Sequence, residues 1–330
     1  MKMKILITGG TGFIGSHLAE HFLREGHTTH ICDNNFRGSK DKFICDLIEK
    51  GVKFINCDLM ESEQLKKLDK DYDLVFHFAA INGTENFYSI PYLVMQVNIL
   101  STINLLEYYS GVDNKFIYAS SSEVYASTFN LRKDMVPTPE NIELCIDDIF
   151  NPRYSYGGSK MTCELLLTSY AKQYGLNFQI IRFSNVYGPR MGFKHVIPQL
   201  TKRAFDSQDP YCVYGPEQTR AFCFVKDAIR ATAELSLKDE SGIFHIGNDE
   251  EELPIIKLAQ KVVDHFNYKP HFDIREAPKG SVHRRCPDIT KIKNLLNFVP
   301  EYCLDDGLQE TIDWYSDYYR NNIDLRSEFL

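Results

Sequence analysis

Short apolar runs alternate with stretches of helical periodicity through the first 184 residues. Six runs rich in β-branched and aromatic side chains predict buried strands: Lys4–Thr8, His30–Asp33, Lys53–Asn56, Leu74–Phe78, Lys115–Ala119 and Phe178–Phe183. The stretches between them have the apolar spacing of helices: Ile14–Glu25, Lys40–Lys50, Glu61–Leu68, Tyr92–Tyr109 and Tyr154–Tyr174. This alternation predicts an α/β fold, a Rossmann doubly wound parallel sheet, which binds its ligand at the carboxyl ends of its strands.

The alternation weakens after residue 184. Glycine and proline punctuate residues 188–220, and three later helices are mixed with short strands: Asp227–Leu237, Pro254–Phe266 and Leu304–Tyr319. We therefore predict a Rossmann domain over residues 1–184. Residues 185–330 are predicted to form mainly a smaller C-terminal substrate-binding lobe, with some segments returning to the sheet. The polar stretch Ser127–Pro152 is predicted to be a long loop beside the site.

Composition and charge exclude several classes of protein. The chain has 330 residues, 43% hydrophobic and 25% charged, which is typical of a globular protein of one or two lobes. Its net charge of -8 argues against a nucleic-acid or anionic membrane partner. No apolar run approaches the roughly 20 residues that cross a bilayer. Nine cysteines with no CxxC pair predict reduced thiols in a cytoplasmic protein.

A glycine-rich turn follows the first predicted strand. Gly10-Thr-Gly12-Phe-Ile-Gly15 matches the pattern G-x-G-x-x-G and opens the first predicted helix. Glycines let the backbone approach a pyrophosphate, and the helix N-terminus offers free N–H donors and partial positive charge. The turn therefore predicts a dinucleotide site, and the alternative is a turn whose glycines serve only the backbone.

Two carboxylates follow the next strands. Asp33 ends the second strand, 18 residues past the last glycine, where it can accept hydrogen bonds from ribose hydroxyls and would repel a 2′-phosphate. This favours NAD over NADP, whereas Arg37 is the feature that would accommodate NADP. Asp58, after the third strand, is placed to meet the adenine or is a solvated loop carboxylate.

A metal-site pattern lies on the first predicted helix. His17-Leu-Ala-Glu20-His21 matches the H-x-x-E-H pattern of certain metalloproteases. It directly follows a dinucleotide-binding turn, and no downstream cluster of histidines or carboxylates completes a zinc site. We interpret it as one exposed face of the helix and expect no metal.

Tyr156 and Lys160 share one helical face because they are four residues apart. A free tyrosine has a pKa near 10, so a phenol that acts as a base near neutral pH needs a fall of roughly 3 pH units, or about 4 kcal/mol. A cation one turn away and a positive nicotinamide ring would both stabilise the phenolate. The alternative is an ordinary surface pair.

These motifs together resemble those of the extended short-chain dehydrogenase/reductase family. The matching segments are Gly9/Gly12/Gly15, Asp33, His77–Ala80, Ala119–Tyr125, Tyr156/Lys160 and Asn185–Arg190. Within that family the chain is similar to NAD-dependent nucleotide-sugar epimerases, 4,6-dehydratases and decarboxylases. The resemblance implies bound NAD and a nucleotide-diphosphate-sugar substrate. It also implies a homodimer formed through the helices Tyr92–Tyr109 and Tyr154–Tyr174.

The resemblance also assigns roles to residues. Tyr156 would take the proton of the sugar C4 hydroxyl while hydride passes to NAD, and Ser121 would hydrogen-bond the C4 oxygen. Lys160 would lower the pKa of the tyrosine and hold the nicotinamide ribose. The implied cofactor contacts are Gly9, Gly12, Phe13, Ile14, Gly15, Asp33, Asp58, Leu59, Ala79, Ala80, Tyr156 and Lys160.

Glu123 bears on the reaction that follows C4 oxidation. Dehydratases of this family use a Glu there to remove the C5 proton, whereas simple 4-epimerases need no carboxylate, and UDP-glucuronate decarboxylases also have Ser-Glu. Ser122 stands where many dehydratases have Asp. On Glu123 alone the main prediction is 4,6-dehydration, followed by 4-epimerisation and then decarboxylation. Two alternatives are a Glu123 that merely pairs with a nearby arginine and a chain that is a non-catalytic NAD-binding regulator.

The substrate contacts implied by the resemblance are Ser122, Asn185, Arg220 and Arg285. Arg220 and Arg285 are candidates for the substrate diphosphate because guanidinium groups suit phosphate oxygens. Arg190 is a further candidate. The segment Asn82–Tyr88 departs from the commoner loops of the family, and it is placed to shape the sugar pocket.

Overall fold

The structure of the chain, a computed structural model, describes residues 1–125, 127–132, 134–277 and 280–321. Small parts of three predictions therefore lie outside the described residues, and the first is the Rossmann domain 1–184, which includes residues 126 and 133. The second is the loop Ser127–Pro152, which includes residue 133. The third is the C-terminal lobe 185–330, which includes residues 278, 279 and 322–330.

Strands and helices alternate through the first half of the chain. The strands are β1 (Lys4–Thr8), β2 (Thr28–Asp33), β3 (Lys53–Asn56), β4 (Leu74–His77), β5 (Lys115–Ser121), β6 (Asn177–Phe183), β7 (Val186–Tyr187), β8 (Tyr211–Tyr214), β9 (Thr219–Ala221), β10 (Cys223–Phe224), β11 (Gly242–Ile246), β12 (Glu252–Pro254), β13 (Phe272–Arg275) and β14 (Arg284–Arg285). The helices are α1 (Phe13–Arg24), α2 (Lys42–Glu49), α3 (Thr84–Ser89), α4 (Pro91–Tyr109), α5 (Thr128–Leu131), α6 (Tyr154–Tyr174), α7 (Val196–Phe205), α8 (Val225–Ser236), α9 (Ile255–His265), α10 (Thr290–Leu296) and α11 (Leu304–Arg320).

Seven parallel strands form the central sheet, in the order β11-β6-β5-β4-β1-β2-β3. The strands are apolar on both faces because each face is covered: Ile5 and Ile7 pack into one hydrophobic core and Leu6 into another. The strand order reverses between β1 and β4, which leaves a crevice at their carboxyl ends. The predicted Rossmann fold is confirmed.

The C-terminal half of the chain both extends the central sheet and forms small separate sheets. Strand β11 pairs with β6 and extends the central sheet, while three small sheets stand apart from it. In one of these, β14 pairs in parallel with β9, so that Arg285 lies beside Arg220 although 65 residues separate them. This pairing brings two cationic side chains to the mouth of the crevice.

The helices also follow the periodicity closely. The structure begins α6 and ends it at the predicted residues, whereas the stretch predicted over Glu61–Leu68 is a 3₁₀ helix, Ser62–Lys67. Helices α4 and α6 pack together over one face of the sheet. Among the residues that the structure describes, no helix is both long and apolar enough to span a bilayer.

Candidate active site

A cleft of about 930 Å³ runs across the carboxyl ends of the strands and is lined from both halves of the chain. Its walls include every residue to which the sequence analysis gave a cofactor or catalytic role. One end is built by segments that follow β1 to β4, and we call it the cofactor end. The other is built by the end of β5, the start of α6 and strands β9 and β14, and we call it the substrate end.

The glycine-rich turn fits a dinucleotide. Gly9 has φ +68°, and a Cβ placed on Gly15 would lie 2.4 Å from the carbonyl oxygen of Gly9, so neither position tolerates a side chain without a backbone shift. Gly12 precedes α1 and has no side chain to cap it, so the first N–H groups of that helix are left for a ligand. The cradle therefore has the shape and the donors that a pyrophosphate needs.

The two predicted cofactor carboxylates are held at the strand ends. The Asp33 carboxylate accepts hydrogen bonds from the backbone N–H groups of Thr11 and Asn35, which ties the glycine-rich turn to the end of β2. Asp58 accepts one from the backbone of Met60 and one from the side chain of Asn34. Both carboxylates keep oxygens near the cleft, where ribose and adenine would lie.

Arg37 lies close to the chain that follows β4 and to Tyr156. Its Nη1 donates to the carbonyl oxygen of Ala80, a residue after β4, at 3.4 Å. The Arg37 guanidinium has no carboxylate partner among the described residues. Burial lowers the pKa of this guanidinium, while the charges of Tyr156 and Asp33 raise it. The side chain therefore reaches across the cleft toward Tyr156.

Helix α6 carries Tyr156 and Lys160 into the cleft on one face, as predicted. The Lys160 ammonium donates to the carbonyl oxygen of Ala119 at 2.7 Å, and burial lowers its pKa to about 8. Burial, followed by the charge of Glu123, raises the pKa of Tyr156, while Arg37 and a hydrogen bond with Ser121 act to lower it. Arg37 is thus a cation that opposes the effect of burial on the phenol, and the role predicted for Lys160 stays a prediction.

Glu123 is enclosed by arginines at the substrate end. Its Oε1 lies 2.9 Å from Arg285 Nη1, and its Oε2 lies 3.4 Å from Arg153 Nη2. Burial would raise the pKa of this carboxyl, but Arg285 and then Arg153 lower it below its usual value. Glu123 is therefore an ion-paired carboxylate and a weak base, which is the alternative that the sequence left open.

The arginines around Glu123 have N–H groups that are not used in hydrogen bonds to the rest of the described chain. Nε and Nη2 of Arg285 and Nε of Arg153 are buried without a hydrogen-bond partner among the described residues. Arg220 stands beside them, and burial followed by the charge of Arg285 lowers its pKa to about 9. Three guanidinium groups against one carboxylate leave an excess of positive charge that suits an anionic ligand.

Two of the remaining predicted substrate contacts line the same end. Ser122 is buried at the start of the 3₁₀ helix Ser122–Tyr125, and the backbone of the next residue donates to the hydroxyl of Ser121. Asn185 has φ +43°, and its amide donates to the carbonyl oxygen of Ala221 at 2.9 Å. That hydrogen bond fixes the Asn185 side chain at the edge of the cleft.

Arg190 and His17 have structural partners. The guanidinium of Arg190 pairs with Asp41 at 2.7 Å and donates to Ser16, so it braces the first two helices and is not free for a phosphate. The prediction that Arg190 binds the substrate diphosphate is therefore corrected.

His17 is hydrogen-bonded to the carbonyl oxygen of Pro189 at 3.0 Å, and burial lowers its pKa to about 4. It is thus a half-buried, neutral histidine, whereas an exposed helix face was predicted.

Two residues of the site were not singled out from the sequence. Arg153 lies three residues before Tyr156, and its position at the N-terminal end of α6 was the available signal. Phe87 lies in the segment Asn82–Tyr88, which was noticed only for its unusual sequence, and its ring packs against that of Tyr156.

A dinucleotide cradle, a Tyr–Lys pair on one helical face and a Rossmann sheet define an extended short-chain dehydrogenase/reductase. The model of the NAD dependent epimerase/dehydratase family matches residues 5–247. The chain belongs to that family, and its cofactor is NAD.

Relatives and solved structures are similar over almost the whole chain. The UDP-N-acetyl-alpha-D-glucosaminuronate decarboxylase of Bacillus cytotoxicus is 35% identical over 96% of this chain and 98% of its own length. The UDP-glucuronic acid decarboxylase 1 of Danio rerio is 30% identical over 96% of this chain and 73% of its own. The structure of a UDP-N-acetylglucosamine 4-epimerase from Methanobrevibacter ruminantium has a TM-score of 0.85 at 27% identity, covering 96% of this chain and all of that one.

Proposed function

We propose that this chain is an NAD-dependent decarboxylase of UDP-linked uronic acids, of the UDP-N-acetylglucosaminuronate or UDP-glucuronate kind. The main prediction from the sequence, 4,6-dehydration, is displaced by this alternative. The observation that carries the proposal is the pairing of Glu123 with Arg285 and Arg153. The names of the two relatives described above support it independently.

The charge around Glu123 separates the two reactions. A dehydratase needs a carboxylate that can accept the C5 proton, and a carboxylate paired on both oxygens with a lowered pKa accepts protons poorly. A uronate substrate brings its own carboxylate on C5, and the unused N–H groups of Arg285 and Arg153 are suitable partners for it. The substrate end is therefore better suited to bind a second carboxylate than to remove a carbon-bound proton.

The chemistry divides between the two ends of the cleft. NAD would be held by the glycine-rich turn, Asp33 and Lys160, and it would supply a reversible hydride acceptor for C4, so the overall reaction would be redox-neutral. Tyr156 is placed to accept the C4 hydroxyl proton, and Ser121 to hold the C4 oxygen. Burial raises the pKa of the Tyr156 phenol in the protein alone, so this role needs Arg37 and the positive nicotinamide ring to stabilise the phenolate.

The resulting 4-ketone makes the sugar acid a β-keto acid, whose carboxyl group leaves as carbon dioxide without a strong base. The enolate that remains takes up a proton at C5 from solvent, which gives the 4-ketone that is then reduced at C4. Arg285 and Arg153 orient that carboxylate, and Arg220 is placed for the diphosphate.

The direct test is the mass of the product. Purified protein is incubated with UDP-N-acetylglucosaminuronate, UDP-glucuronate, UDP-glucose and dTDP-glucose. Loss of carbon dioxide from a uronate supports the proposal. Loss of water from a neutral sugar would restore the dehydratase reading, and an unchanged mass with altered retention would indicate a 4-epimerase. Tight NAD binding with no product from any sugar would indicate the non-catalytic regulator.

Two adjacent arginines offer a matched pair of variants. Arg285→Gln removes the guanidinium that contacts Glu123, whereas Arg284→Gln removes an exposed one that pairs with Glu252. We expect Arg285→Gln to lower kcat/KM for the uronate about 100-fold, because a buried charge-assisted contact is lost. Arg284→Gln should stay within about twofold, as exposed ion pairs contribute little. Equal effects of the two variants would contradict the proposed role of Arg285.

The predicted homodimer is part of the same proposal. Tyr92 on α4 and Leu165 on α6 are 71% and 66% exposed, which is unusual for large apolar side chains on two packed helices. A second copy that packs against these helices would cover both residues. Light scattering of the protein and of a Tyr92→Glu, Leu165→Glu variant tests this, with a shift from dimer to monomer expected.

A further inference from the structure

The short helix α3 occupies the unusual segment Asn82–Tyr88 and packs against the catalytic helix α6. Phe87 is its one fully buried residue, with 2% of its surface exposed. It belongs to a small apolar cluster with Ile81, Val94 and Tyr156. The segment that departs from the commoner loops of the family thus supplies an apolar wall for the catalytic tyrosine.

The contact between the two rings is a parallel stack. The ring centroids of Phe87 and Tyr156 are 5.0 Å apart, and the ring planes differ by 11°. Offset parallel stacking is a favourable arrangement of aromatic rings and restricts the rotation of each. Next to it, the side-chain hydroxyl of Ser155 on α6 donates to the backbone carbonyl oxygen of Phe87 on α3 at 3.5 Å, which joins the two helices.

The base of the segment is fixed to α6 as well. The side chain of Asn98 accepts a hydrogen bond from the backbone N–H of Ile81 at 2.8 Å and donates one to the hydroxyl of Ser159 at 3.0 Å. Asn98 is 1% exposed, so these hydrogen bonds are shielded from water. The wall therefore has a fixed position relative to the helix that carries Tyr156.

We propose that Phe87 is a positioning residue, which holds the phenol ring of Tyr156 so that its hydroxyl faces Ser121 and the sugar C4 hydroxyl. This role rests on the proposed function, because it is stated for the proton transfer that begins that reaction. Proton transfer requires the two oxygens within hydrogen-bond reach, and small displacements of a catalytic group are costly. Phe87 acts through Tyr156 and contacts none of the reacting atoms itself.

The first test compares kcat with KM. Phe87→Leu keeps an apolar side chain but removes the stacked ring, and we expect kcat to fall about 10-fold with KM changed less than twofold. Phe87→Tyr restores a ring and should recover most of kcat. The control is Phe298→Leu, another buried phenylalanine, which packs with Arg230 in the other half of the chain. It should lower Tm without lowering kcat.

The second test needs no substrate. Burial is the main cause that raises the pKa of Tyr156, so water admitted by Phe87→Leu should lower it. In NAD-loaded protein with ¹³Cζ-labelled tyrosine, the Tyr156 signal is the one missing from Tyr156→Phe. We expect this signal to begin its titration at lower pH in Phe87→Leu than in the wild type or in Phe298→Leu.

The outcomes separate the two proposals. A wild-type kcat in Phe87→Leu, or a Tyr156 titration that is unchanged in it, overturns the positioning role. Failure of the wild type to decarboxylate any uronate overturns the proposed function only. In that case kcat is measured on whichever nucleotide sugar the wild type converts, and the titration of Tyr156 still decides the role of Phe87.

Discussion

The two ends of the cleft are built by different means. The cofactor end consists mostly of backbone: the glycine-rich turn, the start of α1 and the chain just after β4. The substrate end consists of charged side chains from distant parts of the sequence, with Glu123 between Arg153 and Arg285. The first end fits the pyrophosphate of NAD, while the chemistry of the second end depends on the charges of its side chains.

The two ends also differ in the groups that provide positive charge. The cofactor end uses the free N–H groups and the partial positive charge at the start of α1, which carry no full charge that has to be buried. The substrate end buries the guanidinium groups of Arg153 and Arg285, and their unsatisfied N–H groups leave them dependent on Glu123 and on an anionic ligand. We therefore expect the two ends to fail separately when each is perturbed.

The largest effect is expected where the two ends meet. Tyr156→Phe removes the hydroxyl that accepts the C4 proton, and we expect kcat to fall by about 10³-fold or more. NAD content after purification should be unchanged, since the cradle of α1 is untouched. Turnover is followed by product mass and NAD by its absorbance after denaturation. Residual activity within 10-fold of the wild type would remove Tyr156 from the reaction.

A second substitution breaks the cofactor end alone. Gly15→Ala places a Cβ 2.4 Å from the carbonyl oxygen of Gly9, so the turn must shift, and NAD affinity should fall about 100-fold. Gly158→Ala is the matched control, because its Cβ meets only the end of the flexible Ile146 side chain, at 3.2 Å. Isothermal titration with NAD measures both variants. Equal affinities for NAD would show that the turn does not carry the cofactor.

The same difference explains what the sequence could predict. The glycine-rich turn, Asp33 and the Tyr156–Lys160 pair each lie within one or two adjacent elements, where local spacing determines geometry. The strands β1 and β3 begin and end at the predicted residues for the same reason. Strand β1 is buried on both faces and needs a continuous apolar run, whereas β3 lies at the sheet edge and is marked by its Phe54-Ile55 pair.

The substrate end could not be predicted in this way. Glu123 and Arg285 are brought together by the pairing of β14 with β9, which is a short contact without a sequence signal of its own. Glu123 alone therefore favoured dehydration, and only its partners revealed that it is a weak base. The prediction for Arg190 was wrong for a related reason. Its motif position suggested a diphosphate ligand, but its guanidinium is paired with Asp41.

Acid should weaken the cofactor end through its buried histidines. His77, which ends β4, lies between Thr8 and Thr102, and burial lowers its pKa to about 3. Between about pH 6.5 and 3 the unfolded chain binds a proton here that the folded chain does not, so stability falls as the pH falls. From pH 6.5 to 5 this one histidine should cost about 2 kcal/mol.

Urea unfolding of the apo protein at several pH values measures the slope of the free energy of unfolding against pH. His77→Gln should make the free energy of unfolding less dependent on pH by about 2 kcal/mol over the same range. His271→Gln changes a side chain that is 93% exposed and should leave the slope as it is. Identical slopes in the two variants would mean that His77 takes up its proton in the folded state.

The smallest effect is expected from Asp33, the side chain to which we assign the preference for NAD over NADP. Asp33→Asn keeps the shape of the β2 end but removes the negative charge, so NAD should bind about 10-fold more weakly while NADP gains. The glycine-rich turn still holds the pyrophosphate, which is why the loss is smaller than for Gly15→Ala. Asp71→Asn, on an aspartate whose side chain is 74% exposed, should leave both affinities unchanged. If NADP binding does not improve, the preference for NAD is set by the backbone of the turn and not by Asp33, and the cofactor end is then a backbone site throughout.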